Sequence, residues 1–185
     1  YPLHFGDART EVHFHVPARD AVRRRARYIV DHQRPIDRAG SLAHAFVPVD
    51  TRTLLTIDDG GWADWTDGSE RVGMAVRQRA RNLGWLDASF DAVLQGWATF
   101  AAEHLIDHSG ATRRGSADPS FGTRLYDAPW FAEFFLERFA ATRAPTDLAL
   151  ARKILLRVVE LGAGTFLAIG YAETASALAH ALRLA

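Results

Sequence analysis

An acidic, tryptophan-bearing segment is the part of this sequence best suited to catalysis. Residues 58–68 read DDGGWADWTDG, so four aspartates, three glycines and two tryptophans fall within eleven positions. Two carboxyl groups can break a glycosidic bond, one by donating a proton and the other by activating water or attacking carbon. An indole ring can also cover the apolar face of a sugar. The pattern predicts a saccharide cleft, with Asp58, Asp59 and Glu70 as catalytic carboxyl groups and Trp62, Asp64 and Trp65 as substrate contacts.

The same segment also fits a purely structural interpretation. Aspartate and glycine satisfy the backbone geometry of tight turns and helix caps, and the two tryptophans can pack into a core. We keep the cleft interpretation beside it because loop residues carry function more often than helix faces do. In the cleft, Arg71 binds an acidic sugar through both arms of its guanidinium group. Spacing alone leaves open which carboxylates form a pair.

A second segment, RLYDAPW at residues 124–130, is a candidate for the opposite wall of the cleft. In that interpretation Asp127 is the distant catalytic carboxylate, and Arg124, Tyr126 and Trp130 contact substrate. The structural alternative makes Asp127 an N-cap before Pro129 and Trp130 a core residue. A cap and a ligand contact can coexist.

Histidines offer a third kind of chemistry. His104 and His108 are four residues apart on a predicted helix, where they share a face, and His13 and His15 share a face of a predicted strand. Such pairs can supply metal ligands. The HExxH order of metalloproteases is absent, and histidines near a helix C-terminus also suit the helix dipole. We therefore favour a structural role, and we assign no metal and no cofactor.

Two kinds of element must position these residues, and the first third of the chain predicts the β part. Apolar and polar residues alternate over 11–16, which is typical of a strand. Pro17 then begins a helix that runs to about Gln33. Residues 42–49 and 53–57 predict two strands of a hairpin around a turn at 50–52.

The remaining two thirds predict consecutive helices. Helical periodicity and the positions of proline and glycine give helices over about 69–82, 87–108, 127–139, 145–162 and 171–184. The fold class is mainly α, with antiparallel helical hairpins and a small N-terminal β element. We treat 1–185 as one domain, with 1–68 as its N-terminal segment and 69–185 as the helical hairpins.

Composition excludes several classes of function. The 22 basic and 22 acidic side chains balance, so the basic excess that is typical of nucleic-acid binding is missing. Cysteine is absent, which excludes disulfides, thiolate nucleophiles and cysteine-ligated zinc. Since no apolar run reaches about 18 residues, we expect no membrane span.

Five short motifs in order resemble landmarks of bacterial six-hairpin glycosidase-like proteins, which process polysaccharides. The motifs are IVDHQ at 29–33, the Asp58-Asp59 loop, ERVGM at 70–74, YDAPW at 126–130 and FLAIG at 166–170. The resemblance implies an (α/α) toroid around a central cleft, a polysaccharide or oligosaccharide substrate, hydrolytic or lytic cleavage, and a location outside the cytoplasm. It carries over the roles of Asp58, Asp59, Glu70, Arg71, Asp127 and Trp130.

A full ring of this type has about twelve helices, and the helices predicted here make about half of one. Half a ring exposes an apolar flank, which soluble monomers seldom tolerate. The ring is therefore completed by a missing remainder of the chain or by a second copy, or the helices close into a smaller bundle. Two other functions stay open: a non-catalytic helical domain that binds a glycan or a protein, and a histidine-dependent metallohydrolase.

Overall fold

A computed structural model describes residues 2–11, 15–34, 43–55, 71–115, 122–163 and 171–184, and within these ranges the protein is mainly helical. A two-stranded antiparallel hairpin comes first, with its strands paired from Pro2 opposite Glu11 to Phe5 opposite Ala8. The elements in chain order are β1 (Pro2–Phe5), β2 (Ala8–Glu11), α1 (Ala18–His32), α2 (Arg71–Asn82), α3 (Asp91–Phe100), α4 (Ala128–Thr142), α5 (Pro145–Glu160) and α6 (Tyr171–Leu184).

The β element lies earlier in the chain than the sequence predicted. Of the strand expected at 11–16, Glu11 is the last residue of β2, residues 15 and 16 are not strand, and residues 12–14 lie outside the described ranges. The pairing is formed upstream instead, where Gly6 adopts a φ of +57° and turns β1 back onto β2. His15 therefore lies outside any strand face.

The predicted hairpin at 42–57 is formed only in part over its described residues, 43–55: Val49 makes a β-bridge and residues 51–53 form a turn, but residues 45–47 are not a strand. Ala45, Phe46 and Val47 are buried in the core rather than paired with a second strand. Val47 is held by the end of α1: its N–H donates to the Gln33 carbonyl at 2.9 Å, and the Gln33 side chain donates to the Val47 carbonyl at 3.2 Å. The next residues form a turn because the Asp50 carboxylate accepts the backbone N–H groups of residues 52 and 53.

The helix boundaries largely follow the predicted proline and glycine signals. Pro17 is the N-cap of α1, Gly84 follows α2 with a φ of +71°, and Pro145 begins α5. The turn between α2 and α3 is fixed by a two-pronged ion pair, in which Arg81 donates to Asp91 at 2.6 and 3.0 Å. These elements confirm the predicted helical part of the fold.

One predicted helix, 87–108, has a different form. It begins as a 3₁₀ turn at Ala88–Phe90, continues as α3, and widens into a π-helical turn at Ala101–Leu105, where it ends. His108 lies beyond that end, so it does not share a helical face with His104. The predicted histidine pair is therefore not formed, because the wider turn shifts the register and the helix stops three residues early.

The centre of the molecule is α4, which is apolar on most of its circumference. Phe131, Phe134 and Phe135 are each at most 2% exposed. The Trp97 indole from α3 stacks on the Phe131 ring at 5.6 Å and meets the Phe134 ring edge-on at 4.8 Å. A helix that is hydrophobic almost all round must be covered on nearly every side, which makes α4 the helix that its neighbours surround.

Side-chain contacts give the directions of the helices around α4. Tyr171 and Thr174, at the start of α6, bond to the carbonyls of Leu125 and Pro129 at the start of α4, so α6 and α4 run the same way. Along α2, Arg79 contacts Glu133 and the later residue Asn82 contacts Glu137. The helix α2 therefore also runs in the same direction as α4.

Two helices, α3 and α5, run antiparallel to α4. Gln95 of α3 contacts Arg138 late in α4, whereas Trp97 contacts Phe131 and Phe134 earlier in it. A two-residue connection, Arg143–Ala144, turns the chain directly from α4 into α5. The result is a layer of three parallel helices, α2, α4 and α6, with the antiparallel helices α3 and α5 packed on it.

A close approach of His44 to α3 gives a test of this packing. A Cβ added at buried Gly96 would lie 2.8 Å from the His44 Cγ and 3.0 Å from its Cε1, so the imidazole ring would have to move. We expect Gly96→Ala to lower the free energy of unfolding by about 1–2 kcal/mol, measured by urea denaturation. His44→Ala in the same background should recover most of that loss; an equal loss with and without the ring would contradict the contact.

Candidate functional site

The structure describes only part of the predicted cleft. Arg71 is the first residue of α2. The other residues of the acidic segment lie outside the described residues, and their roles stay predictions: Asp58, Asp59, Trp62, Asp64, Trp65 and Glu70. The opposite wall, 124–130, is described throughout.

That wall forms what we call the α4 corner: Arg124, Tyr126, Asp127 and Trp130, at the start of α4. A 3₁₀ turn at Leu125–Asp127 leads into the helix. The Arg124 Nε lies 3.5 Å from the Asp127 Oδ1, and its guanidinium carbon lies 6.0 Å from the centre of the Tyr126 ring. The structure therefore brings a cation, a carboxylate and an aromatic ring together, with Trp130 on the first turn of α4.

The structural alternative for this segment needs correction. Asp127 occupies the N-cap position of α4, but its side chain makes no capping hydrogen bond, because residues 125–127 already form a helical turn and the carboxylate faces Arg124. Asp127 is 8% exposed, whereas Tyr126 is 52% exposed. Trp130 is half-buried rather than a core residue. The corner thus presents an open aromatic ring beside a largely buried ion pair.

The loop before the corner holds it in place. Arg124 donates its N–H to the Thr112 carbonyl at 2.8 Å, and the Thr112 hydroxyl donates to the Arg124 carbonyl at 2.7 Å. Upstream, the Asp107 carboxylate accepts the N–H and hydroxyl of Ser109 and the N–H of Ala111. Burial alone would raise the pKa of Asp107, but these hydrogen bonds outweigh it and lower that pKa.

Tyr171 clamps α6 onto the same corner. Its hydroxyl donates to the Leu125 carbonyl at 3.2 Å. Burial raises the pKa of Tyr171 to about 12, so the phenol stays neutral and keeps its donor over the physiological range. Tyr171 is therefore a structural donor rather than a base.

A cavity of about 290 Å³ lies farther along α4, between α2 and α6. We call it the α4 groove. Leu136, Phe139 and Ala181 form its apolar floor. Charged and titratable side chains surround the floor: Arg79, Glu133, Glu137, Arg143 and His180. An apolar floor with a few converging polar groups is the usual form of a small-ligand site.

The glutamates of the groove are oriented by α2. The Arg79 guanidinium lies 3.9 Å from the Glu133 carboxylate and 3.8 Å from the Glu137 carboxylate. The Asn82 amide also donates to Glu137 Oε2 at 2.8 Å. Arg143, which ends α4 with a φ of +59°, lies over the Phe139 ring at 5.6 Å. Both acceptors and donors therefore face the groove.

The sequence analysis missed this groove, although a signal for it is present. Glu133 and Glu137 are one turn apart on a helix that is otherwise almost wholly apolar, and that spacing puts both carboxylates on one side. Thr174 connects the groove to the corner, because it lines the groove and bonds to the Pro129 carbonyl. Corner and groove lie along the same pair of helices, α4 and α6.

A metal site and a membrane-spanning helix can each be checked within the described ranges. Among those residues, no three His, Asp or Glu side chains gather as metal ligands would. No helix in them has the length and apolar character that crossing a membrane requires.

Comparisons with known proteins give a fold likeness. A solved structure of a polysaccharide lyase superposes on 91% of this chain with a TM-score of 0.78 and 20% sequence identity. This chain covers 25% of the length of that lyase. No family model matches the chain, and no curated protein does. At this identity the likeness establishes a shared fold.

The Tyr171 clamp gives a prediction with a defined pH dependence. The native state holds the phenol proton to about pH 12, while the unfolded state releases it near 10, so stability is lost as pH rises through that window. Tyr171→Phe should cost about 1 kcal/mol at neutral pH through the lost hydrogen bond. Denaturation at a series of pH values should then give a smaller decline above pH 10 for the variant; parallel declines would contradict the assignment.

Proposed function

We propose that this chain is part of a carbohydrate-active protein that cleaves a polysaccharide, and that its helices form part of an (α/α) toroid. One observation carries the proposal: the parallel helices α2, α4 and α6 are backed by α3 and α5, and the side of α4 left between α2 and α6 holds the groove. Alternating parallel and antiparallel helices are the arrangement of a toroid, whose parallel inner helices face its cleft. The fold likeness to a polysaccharide lyase supports the same conclusion.

The groove has the chemistry that a sugar ring requires. Hydroxyl groups both donate and accept, and the groove offers them carboxylates on Glu133 and Glu137 and a guanidinium on Arg79. Leu136 and Phe139 supply an apolar surface for the C–H face of the ring. We propose that the groove binds one section of the glycan chain.

The α4 corner would bind the neighbouring section. The exposed Tyr126 ring and the half-buried Trp130 suit stacking against sugar rings. The positive charge of Arg124 stabilises the negative charge of Asp127. Arg124 also suits an acidic substituent of the substrate. The corner and the groove together would form a continuous surface along α4 and α6.

In this proposal, cleavage uses carboxyl groups from both walls of the predicted cleft. In this proposal one of Asp58, Asp59 and Glu70 protonates the leaving oxygen, and Asp127 accepts the proton of the attacking water. Trp62, Asp64, Trp65 and Arg71 contact the sugars on the opposite wall. Lytic cleavage remains the alternative reaction, and the two are separated by the product, because only elimination leaves a carbon–carbon double bond that absorbs ultraviolet light.

A second candidate function is supported by exposed apolar side chains on α5 and α6. Leu156, Val159 and Leu182 are 53%, 64% and 50% exposed. A non-catalytic helical domain that binds a protein partner would use such side chains. That function predicts binding without any cleavage product.

Single substitutions test the catalytic assignment once a polysaccharide panel has identified a substrate. Asp58→Asn, Asp59→Asn, Glu70→Gln and Asp127→Asn each remove one carboxyl group with little change in size. We expect at least one on each wall to lower turnover by about 10²-fold or more, the usual contribution of an acid or base. Asp20→Asn, at a half-buried residue of α1, is the control. Full turnover by all four variants would defeat the assignment.

The groove is tested by affinity rather than turnover. Glu133→Gln should weaken oligosaccharide binding by about tenfold, equivalent to about 1.4 kcal/mol, because an ionised acceptor is lost. Isothermal titration calorimetry measures the change, and Glu160→Gln on the far side of α5 is the matched control. Equal affinity for the two variants would mean that the groove does not contact the glycan.

A further inference from the structure

The helix α1 carries a concentration of positive charge. Residues 18–34 contain six arginines and two aspartates, a net charge of +4 in a chain whose net charge is zero. All six arginines are exposed. Four of them, which we call the α1 arginine surface, lie within one sector of the helix of about 140°. They are Arg19, Arg23, Arg24 and Arg27.

The packing of α1 does not require this charge. The helix is held to the bundle by its apolar side, where Ala26 and Ile29 are fully buried. Arg19, Arg23 and Arg27 follow one another at intervals of four residues, and like charges at that spacing destabilise a helix. A local feature that opposes folding without improving the packing is typical of a functional site.

The carboxylate beside the surface compensates its charge only in part. Asp20 lies 3.8 Å from the Arg19 Nε and 3.7 Å from the Arg23 Nη1, so two cations share one carboxylate at the limit of ion-pair distance. Among the residues that the structure describes, none forms a hydrogen bond or an ion pair with Arg24 or Arg27. The surface therefore keeps positive charge that an anionic partner can neutralise.

The surface borders the turn between α2 and α3. Arg23 Nε donates to the Trp85 carbonyl in this turn at 3.3 Å. Hydrogen bonds from Ser89 lower the pKa of Asp87, and the nearby charges of Arg27 and Arg23 lower it further. Because α2 runs parallel to α4 and this turn follows its end, the surface lies at the end of the bundle opposite the α4 corner.

A row of arginines on one helix fits a chain of carboxylated sugars. Four helical residues advance about 6 Å, which is close to the length of one sugar residue. Each guanidinium can bind a carboxylate through two parallel hydrogen bonds. A lipid surface fits less well, because the apolar side of α1 is buried and is not free to insert. Nucleic acid also fits less well, because the neutral chain as a whole does not attract it.

We propose that the α1 arginine surface binds an acidic polysaccharide outside the cleavage site, as a remote contact for a long chain. The choice of a glycan among polyanions rests on the proposed function, whereas the positive surface itself does not. The surface uses no residue of the α4 corner or the α4 groove. It would favour long, carboxylated chains over neutral ones and over short fragments that do not extend to α1.

Isothermal titration calorimetry with the whole chain at low salt tests the surface, with polygalacturonate as the acidic probe and dextran as the neutral one. Arg24→Gln combined with Arg27→Gln removes two charges from the surface. Arg152→Gln combined with Arg183→Gln removes the same charge from exposed positions on α5 and α6. We expect the first pair to weaken polygalacturonate binding by about tenfold or more and the second pair to change it little. Physiological salt should weaken binding to the wild-type protein.

Four results would overturn the proposal. They are no binding of polygalacturonate to the wild-type protein at low salt, an equal loss of binding in the two double variants, dextran binding as tight as that of polygalacturonate, and tighter binding of polyuridylate than of polygalacturonate. The last result would assign the surface to nucleic acid. Thermal denaturation should give both double variants melting temperatures near that of wild type.

Failure of this proposal is distinguishable from failure of the proposed cleavage. If the two double variants bind polygalacturonate equally while Asp127→Asn loses turnover, the α1 surface is wrong and the cleavage assignment stands. If polygalacturonate binding depends on Arg24 and Arg27 but no polysaccharide is cleaved, the surface stands and the cleavage assignment is wrong.

Discussion

The packing of Trp97 against Phe131 and Phe134 is the contact on which the other features depend. It joins α3 to α4, the helix against which α2, α5 and α6 also pack. Burying rings of this size contributes more than any surface ion pair in the protein, and it fixes the rotation of α4 about its axis. That rotation decides which side of α4 carries Glu133 and Glu137, and so where the groove lies.

The helical part of the fold was readable from the sequence because local signals determine it. Pro17, Pro145 and Gly84 mark helix boundaries whatever the tertiary structure does. The strand predicted at 42–49 is not formed over 45–47 for a reason that periodicity does not detect: Val47 bonds to Gln33 at the end of α1. The π-helical turn at Ala101–Leu105 is likewise invisible to a pattern that assumes constant periodicity.

The candidate site was less readable because its members come together only through packing. The closeness of Arg124, Tyr126 and Asp127 followed from their spacing, since they lie within one turn. The groove joins α2, α4 and α6, which are far apart in sequence, and the order of helices does not say which two will lie beside α4. The orientations of the Gln78 and Gln95 amides depend on contacts that involve Glu137 and Arg138, which no sequence pattern specifies.

The common direction of α2, α4 and α6 has a further consequence for the groove. Peptide dipoles in the three aligned helices reinforce one another on the groove side, while the antiparallel helices α3 and α5 oppose them from the other side of the layer. The groove therefore lies in a graded potential that becomes more negative from the Pro129 end toward Arg143. A polymer with charged substituents that lay along α4 would have a preferred orientation, because its two orientations place those charges differently in the gradient. This preference would not depend on contacts with any individual sugar.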